Sequence, residues 1–164
     1  MKSSCQAVIF DMDGVITDSM PCHYRAWKTV FHDAGISVKK SEVYAREGQR
    51  GIHSIFEIFA LHNRPISPAA ARGLLAQKEI LFRNTVRTRF IPGSRGFIRK
   101  ARRLGYRLAL VTGTSRREVS RALPEDIVRS FEVIVSGSDV KNGKPHPEPY
   151  LKAVRAMAIK KKDA

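Results

Sequence analysis

Three short apolar runs, each ending at a polar loop, constrain the fold of this chain more than any other feature of its sequence. They lie at residues 6–10, 107–111 and 131–137. Segments with helical periodicity separate them, and strands that alternate with helices are typical of a parallel sheet with helices on its faces. The pattern therefore predicts an α/β fold with a Rossmann-like parallel sheet at its core.

The stretch between the first two runs is almost wholly helical. Apolar residues recur at helical spacing over residues 20–34, 52–63 and 67–86. Ser67 is the predicted N-cap of the third of these helices, and Pro68 suits its first turn. We expect a helical cap domain at residues 18–88, inserted into an α/β core domain made of residues 1–17 and 89–164. Ligands of open parallel sheets bind beyond the carboxyl ends of the strands, so an insert at this point can act as a lid.

Length and composition exclude several classes of protein. The 164 residues suit one domain, or one core domain with a small insert. No segment approaches the roughly 20 apolar residues that span a bilayer, and the apolar run before Asp11 is too short for a signal peptide. Cys5 and Cys22 form no C-x-x-C pair, which favours reduced thiols. We therefore expect a cytoplasmic protein with no membrane partner.

The net charge of +15 is unusual for such a chain. Basic residues are spread over the helical segments, and only residues 159–164, "IKKKDA", form a compact run. No zinc-finger spacing or RNA-binding aromatic pattern accompanies them, which favours solvated helix faces over a nucleic-acid partner. The same field would attract a phosphorylated substrate, while nucleic-acid binding stays open as the weakest alternative.

Polar groups suited to phosphoryl transfer follow each of the predicted strands. Asp11 and Asp13 end the first run, Thr112 and Gly113 follow the second, and Lys144 lies in the loop after the third. A carboxylate can attack phosphorus, and a second can donate and then accept a proton. A hydroxyl, a free backbone N–H and an ammonium can hold the phosphoryl oxygens. Mg²⁺, held by one or two carboxylates and the phosphate, would remove the repulsion between these anions.

Each group also has an ordinary structural interpretation. Asp-Gly is a common turn pair, "TGTS" at residues 112–115 suits a helix cap, and Lys144 lies in a proline-rich loop. The convergence of all of them on one sheet edge favours the catalytic interpretation.

Three stretches resemble the first three motifs of the haloacid dehalogenase (HAD) superfamily: "DMDGVITDS", "LVTGTS" and "KNGKPHPEPY". The closest likeness is to the phosphatase and β-phosphoglucomutase branch, which has a helical cap after the first motif. The resemblance implies that Asp11 is the nucleophile and a Mg²⁺ ligand. It implies that Asp13 is the general acid/base and binds Mg²⁺ through its backbone carbonyl, and that Thr112 and Lys144 bind the phosphoryl group.

The segment "DSMPCHYRAW" extends the likeness, because this branch carries a histidine at the position of His23 that couples proton transfer to cap closure. One motif has no counterpart. The family's fourth motif is an acidic pair or triplet on a further strand, and no acidic cluster follows Lys144 before Ala164. We therefore expect either a C-terminally truncated piece of a longer enzyme or a natural degenerate copy, with an exposed sheet edge and with turnover and Mg²⁺ affinity in question.

The loop "REGQRG" is the segment of the insert best placed to face a substrate. Arg46, Gln49 and Arg50 could reach the non-reacting part of the substrate, although a role in solubility or helix capping explains them equally well. Gly51 falls where the resemblance places an arginine in sugar-phosphate mutases, which favours hydrolysis. The aromatic residues Trp27, Phe56 and Phe59 are expected in the core of the cap.

The resemblance therefore implies a Mg²⁺-dependent phosphatase that hydrolyses a small phosphorylated metabolite through an aspartyl-phosphate intermediate. A β-phosphoglucomutase-like sugar-phosphate mutase shares every residue named and is the first alternative. A catalytically dead binding module is the second, because of the missing motif and the basic charge. The sequence identifies neither the substrate nor the oligomeric state.

Overall fold

The computed structural model describes residues 5–86 and 89–160. Within them lie the strands β1 (Ala7–Phe10), β2 (Arg107–Val111) and β3 (Val133–Val135). Between β1 and β2 lie the helices α1 (Met20–Asp33), α2 (Lys40–Tyr44), α3 (Gly51–Leu61), α4 (Pro68–Thr85) and α5 (Ser94–Arg103). After β2 come α6 (Arg116–Ala122) and α7 (Glu125–Val128), and after β3 comes α8 (Glu148–Ala156).

The three strands form one parallel sheet in the order β1-β2-β3. Phe10 pairs with Leu110, and Val111 pairs with Val135. The residues that directly follow the strands, including Asp11 and Thr112, therefore emerge at the same edge of the sheet. This arrangement confirms the predicted α/β fold with a parallel core and a helical insert after the first strand.

Apolar side chains bury both faces of the sheet. On one face, Phe10, Leu108 and Leu110 pack against residues of α5, α6 and α7. On the other, Ala109 and Val135 pack against α8. Burial on both faces explains why β2 has a continuous apolar pattern instead of an alternating one.

The helices α1 to α4 surround an apolar cluster of their own, to which Trp27, Phe31, Ile55 and Phe59 contribute. The expectation that Phe56 lies in this core is wrong, because 38% of its surface is exposed. Ile55, Ile58 and Phe59 share the inner face of α3 at spacings of three and four residues, and Phe56 is rotated away from it. The limits of the cap and core domains stay predictions.

The free side of β1 carries an apolar groove. Among the described residues no strand pairs with this side, and the groove beside it is lined by Cys5, Ala7, Val8, Ile9, Tyr150, Leu151 and Val154. Within residues 5–86 and 89–160, no helix combines the length and hydropathy needed to cross a membrane. Most of the predicted basic run, residues 161–164, lies outside the described residues.

Candidate active site

Asp11 and Lys144 meet beyond the ends of the strands. The ammonium of Lys144 lies 2.8 Å from Oδ1 of Asp11, and the backbone N–H of Met12 donates to the same oxygen at 2.8 Å. Both side chains are largely buried, with 25% of Asp11 and 11% of Lys144 exposed. The structure thus places a carboxylate and a cation from opposite ends of the chain against each other at the predicted edge of the sheet.

Asp13 is 4% exposed and accepts hydrogen bonds at both carboxylate oxygens. The Ser19 hydroxyl donates to Oδ1, and the Thr114 hydroxyl donates to Oδ2 at 2.9 Å. Burial by itself would raise the pKa of Asp13, but the hydrogen bond and charge of His23, with those of Ser19 and Thr114, outweigh it and lower the pKa to about 2. Without a bound ligand, Asp13 is therefore ionised at neutral pH.

His23 connects the helical segment to this carboxylate. It projects from α1, with Nε2 3.2 Å from Oδ1 of Asp13, and its ring stacks on Phe82 of α4 at a centroid distance of 3.9 Å. Burial and then the positive charge of Lys78 lower the pKa of His23, and the interaction with Asp13 offsets part of this shift. Movement of α1 would therefore change the electrostatic surroundings of Asp13.

Thr112 and Gly113 follow β2, and Thr112 contacts the carboxylate oxygen of Asp13 that His23 does not contact. The Thr112 hydroxyl lies 3.5 Å from Oδ2 of Asp13 and accepts a hydrogen bond from the backbone N–H of Thr114 at 3.1 Å. Gly113 lies against residues 46–51 of the helical insert, the loop "REGQRG", which we call the insert loop. A Cβ atom on Gly113 would be 2.5 Å from the carbonyl oxygen of Gln49 and 2.6 Å from that of Gly48. Only glycine permits the two loops to approach this closely.

The loop "REGQRG" does face the sheet, but two of its cations are already engaged. The Arg46 guanidinium lies 3.0 Å from Oε2 of Glu57 and donates to the carbonyl of Glu42. Arg50 donates to the carbonyl of Lys141 at 2.6 Å. Among the described residues, Oε1 of the Gln49 side chain is buried without a hydrogen-bond partner.

Glu47, in the same loop, was not singled out from the sequence. Its side chain keeps accessible surface toward the cavity between the insert and the sheet. The surrounding protein, and then the charges of Asp13 and Asp11, nevertheless raise its pKa to about 8. The raised pKa of Glu47 limits the negative charge that its side chain brings toward the two aspartates.

The cavity itself has a volume of about 320 Å³. Its lining includes His23 and Thr114, which both contact Asp13. It extends to Lys78 on α4 and Glu118 on α6. Both of these charged residues are buried, with 6% and 7% of their surface exposed. Sequence reasoning missed them because charged residues on amphipathic helices normally face water. Only the three-dimensional structure, in which Lys78 and Glu118 line the same cavity, shows otherwise.

The resemblance assigns Asp11 and Asp13 to Mg²⁺, and their arrangement suits a cation that takes few of its ligands from the protein. Both carboxylate oxygens of Asp13 accept hydrogen bonds, so its backbone carbonyl is the ligand left to it. Within the described part of the chain, Met12 and Lys144 contact Oδ1 of Asp11, which leaves Oδ2 for a metal. Among the described residues, no cluster of three or more His, Cys, Asp or Glu side chains could hold a metal. Mg²⁺ commonly binds through one or two carboxylates, phosphate oxygens and water, which this pair satisfies.

A parallel sheet with an aspartate pair, a hydroxyl and a lysine at one edge defines a phosphoryl-transfer class of protein, and comparison with known families agrees. The family model for haloacid dehalogenase-like hydrolases matches residues 5–164. The chain belongs to this family, which confirms the resemblance seen in the motifs.

The individual relatives include named phosphatases. A phosphorylated carbohydrates phosphatase of Thermotoga maritima is 29% identical over 94% of this chain and 71% of its own length. CbbY from Rhodobacter sphaeroides, whose structure is known in complex with phosphate, is 26% identical in sequence to this chain. The match covers 94% of this chain and 73% of the CbbY chain, and the two structures superpose with a TM-score of 0.76. At the level of the family, these matches confirm the prediction of a phosphoric monoester hydrolase.

Proteins of lower sequence identity to this chain share its fold. The structure of β-phosphoglucomutase from Clostridium difficile has a TM-score of 0.83 at 22% identity, and the match covers 97% of this chain and 74% of that one. At this identity the match establishes the fold alone. The chain spans about 70% of the length of the relatives it matches.

Proposed function

We propose that the protein is a Mg²⁺-dependent phosphatase that transfers the phosphoryl group of a small phosphorylated metabolite to Asp11 and then to water. The observation that carries this proposal is the 2.8 Å contact between Asp11 and Lys144. It places a nucleophilic oxygen and a phosphate-binding cation within reach of one anionic group. The phosphatase names of several relatives support the same chemistry.

In the first step, an oxygen of Asp11 attacks phosphorus, and the bond from phosphorus to the ester oxygen breaks. Lys144 and the Thr112 hydroxyl offset charge on the phosphoryl oxygens, and the Gly113 N–H provides a further donor. Bound Mg²⁺ would neutralise the repulsion between the phosphate and the carboxylates. In the second step, water attacks the same phosphorus, the acyl phosphate bond breaks, and free phosphate leaves with Asp11 restored.

Asp13 supplies and removes the protons. The leaving oxygen needs a proton in the first step, yet the pKa of Asp13 is about 2 in the arrangement described. A phosphate dianion beside Asp13 adds negative charge and so raises its pKa. Protonation of Asp13 is thereby coupled to substrate binding. After the ester oxygen takes this proton, ionised Asp13 accepts one from the attacking water.

The helices α1 to α4 act as a cap that excludes bulk water from these steps. Gly48 and Gln49 already lie against Gly113, and His23 reaches Asp13 from the cap side. Exclusion of water strengthens the electrostatic interactions in the site and protects the acyl phosphate until one positioned water attacks.

The direct test is hydrolysis of p-nitrophenyl phosphate by the full chain with Mg²⁺. Asp11→Asn should abolish release of phosphate, and EDTA should stop it in the unaltered protein. Asp33→Asn removes an exposed carboxylate at the end of α1 and is the matched control, expected to retain activity. Retained turnover by Asp11→Asn would contradict the proposal. So would an isomerised sugar phosphate, formed in place of free phosphate, when a sugar phosphate replaces p-nitrophenyl phosphate as the substrate.

A further inference from the structure

Arg50 joins the insert loop to the segment that carries Lys144. Its Nη1 atom donates a hydrogen bond to the carbonyl oxygen of Lys141 at 2.6 Å, across 91 positions of the sequence. The stem of Arg50 lies against Gly143, where a Cβ atom would be 2.6 Å from Cγ of Arg50 and 3.1 Å from its backbone nitrogen. Arg50 therefore contacts the chain directly before Lys144 through both its side chain and its backbone.

Both ends of this contact are anchored in secondary structure. Arg50 is the N-cap residue of α3, and its carbonyl oxygen accepts a hydrogen bond from the N–H of His53 at 2.9 Å. On the other side, the carboxylate of Glu148, the first residue of α8, accepts from the N–H groups of Lys141 at 2.8 Å and Asn142 at 3.0 Å. The contact thus connects α3 of the insert to α8 of the sheet segment.

The insert loop also touches Lys144 itself. A Cβ atom on Gly48 would be 3.1 Å from Cδ of Lys144 and 3.3 Å from its Nζ, so the loop packs along the stem of this side chain. The same Nζ lies 2.8 Å from Oδ1 of Asp11. Displacement of the insert loop would therefore remove the support that holds the ammonium beside the aspartate.

We propose that Arg50 is a positioning residue, which fastens residues 141–144 to the insert so that Lys144 takes its place beside Asp11 when the insert lies against the sheet. The inference rests on the proposed phosphatase function, in which Lys144 binds the phosphoryl group. It gives Arg50 a role other than the contact with substrate that its sequence position suggests. Small errors in the placement of a catalytic group are costly, which is why one such contact affects the rate.

The kinetic test uses the full chain with Mg²⁺ and two esters, p-nitrophenyl phosphate and hexyl phosphate. Arg50→Met removes the hydrogen bond and keeps much of the apolar stem. We expect kcat/KM to fall about tenfold, and by the same factor for both esters, because Lys144 binds the phosphoryl group that they share. Arg50→Lys should restore most of the loss, since a single donor reaches a single carbonyl oxygen.

Hydrogen–deuterium exchange of the substrate-free chain, followed by mass spectrometry, tests the contact without turnover. Arg50→Met should raise exchange in residues 46–51 and 141–144 and leave the strands and the thermal midpoint unchanged. Gly143→Ala should produce the same changes from the other side of the contact, which keeps the test valid if Arg50→Met does not fold.

The matched control is Arg64→Met. Arg64 also donates to a backbone carbonyl, that of Gly35 at 2.9 Å, but both of these residues belong to the insert. This variant should change neither kcat/KM nor exchange in the two segments.

Three results would overturn the inference. They are unchanged kcat/KM and exchange in Arg50→Met, a loss confined to one ester, which would indicate contact with the leaving group, and faster exchange along the whole chain with a lower thermal midpoint, which would indicate a general structural role. Hydrolysis of neither ester by the unaltered chain would overturn the phosphatase proposal instead, and the exchange measurement would then decide whether Arg50 fastens the segment.

Discussion

The residue that the site holds most tightly is Asp13. It receives hydrogen bonds from Ser19 and Thr114 and a polar contact from His23, which come from two separate parts of the chain, the start of α1 and the loop after β2. The lowered pKa stabilises the folded state. Since the folded pKa is about 2 and the ordinary value is 3.8, this contribution is fully present above pH 4 and is lost as the pH falls toward 2. The lowered pKa of Asp13 contributes about 2 kcal/mol to the free energy of unfolding.

His23→Ala should therefore raise the pKa of Asp13, because it removes the hydrogen bond and charge that oppose burial. Carboxyl ¹³C chemical shifts of the full chain, followed from pH 2 to pH 6, would measure the change. Thr29→Ala, an exposed substitution elsewhere on α1, is the control and should leave the titration unaltered. An Asp13 pKa that stays near 2 without His23 would contradict this account of its environment.

At the scale of the secondary-structure elements, the contact between the insert loop and the loop after β2 sets how closely the helical insert approaches the sheet. Gly48 has a φ of 78° and lies against the side chain of Lys144, where a Cβ would be 3.1 Å from Cδ. Gly113 lies against the backbone of the same loop. Both glycines thus permit the insert to pack directly against Lys144 and the loop after β2.

Gly113→Ala should hold the insert loop away from the sheet, because the added Cβ would collide with two backbone carbonyl oxygens. A displacement of about 1 Å in a catalytic site can cost up to about a hundredfold in rate, so we expect a loss of between ten- and a hundredfold in kcat/KM.

Gly96→Ala is the matched control, since its Cβ on α5 would meet no atom within 4 Å. It should raise the free energy of unfolding by about 0.5–1 kcal/mol and leave turnover unchanged. Unaltered kcat/KM in Gly113→Ala would show that the close approach of the loops is not needed for turnover.

Elements with strong local signals could be predicted from the sequence. The strand at residues 107–111 was predicted with the bounds that the structure has. Ser67 caps α4 as expected, since its hydroxyl accepts from the N–H of Ala70 at 3.2 Å. The helices α2 and α7 were missed because helices of five and four residues are too short to show a periodicity.

Some residues of the site could likewise be predicted from the sequence, and others could not. Asp11, Asp13 and Lys144 could be predicted because they follow strands whose parallel order fixes where they emerge. Lys78 and Glu118 could not, because their burial depends on contacts between helices far apart in the sequence. The hydrogen bond from Thr114 to Asp13 likewise joins residues 101 positions apart, and no local pattern announces it.

At the scale of the whole molecule, the excess of basic residues defines the long-range field. The chain carries 30 Lys and Arg against 15 Asp and Glu. Several of these cations are paired on the surface, as Arg99 is with Asp126 and Arg107 with Glu132. The rest leave a positive field that attracts phosphate esters toward the protein.

Added salt should therefore raise KM for a phosphate ester and have little effect on kcat. The Debye length falls from about 10 Å at 0.1 M salt to about 3 Å at 1 M, which screens the distant charges but not the buried contact between Lys144 and Asp11. Steady-state kinetics between 0.05 and about 0.5 M NaCl would measure this, with sucrose at matched viscosity as the control. A KM that is independent of salt would contradict a role for the overall charge in substrate capture.

The most direct measurement of the whole account is the chemical state of Asp11 during turnover. The full chain would be quenched with acid during turnover of a phosphate ester, reduced with borohydride and digested for mass spectrometry. An acyl phosphate on Asp11 is reduced to homoserine, and we predict this conversion at residue 11 and its absence without substrate. Turnover with Asp11 unmodified, or conversion at another carboxylate, would contradict it.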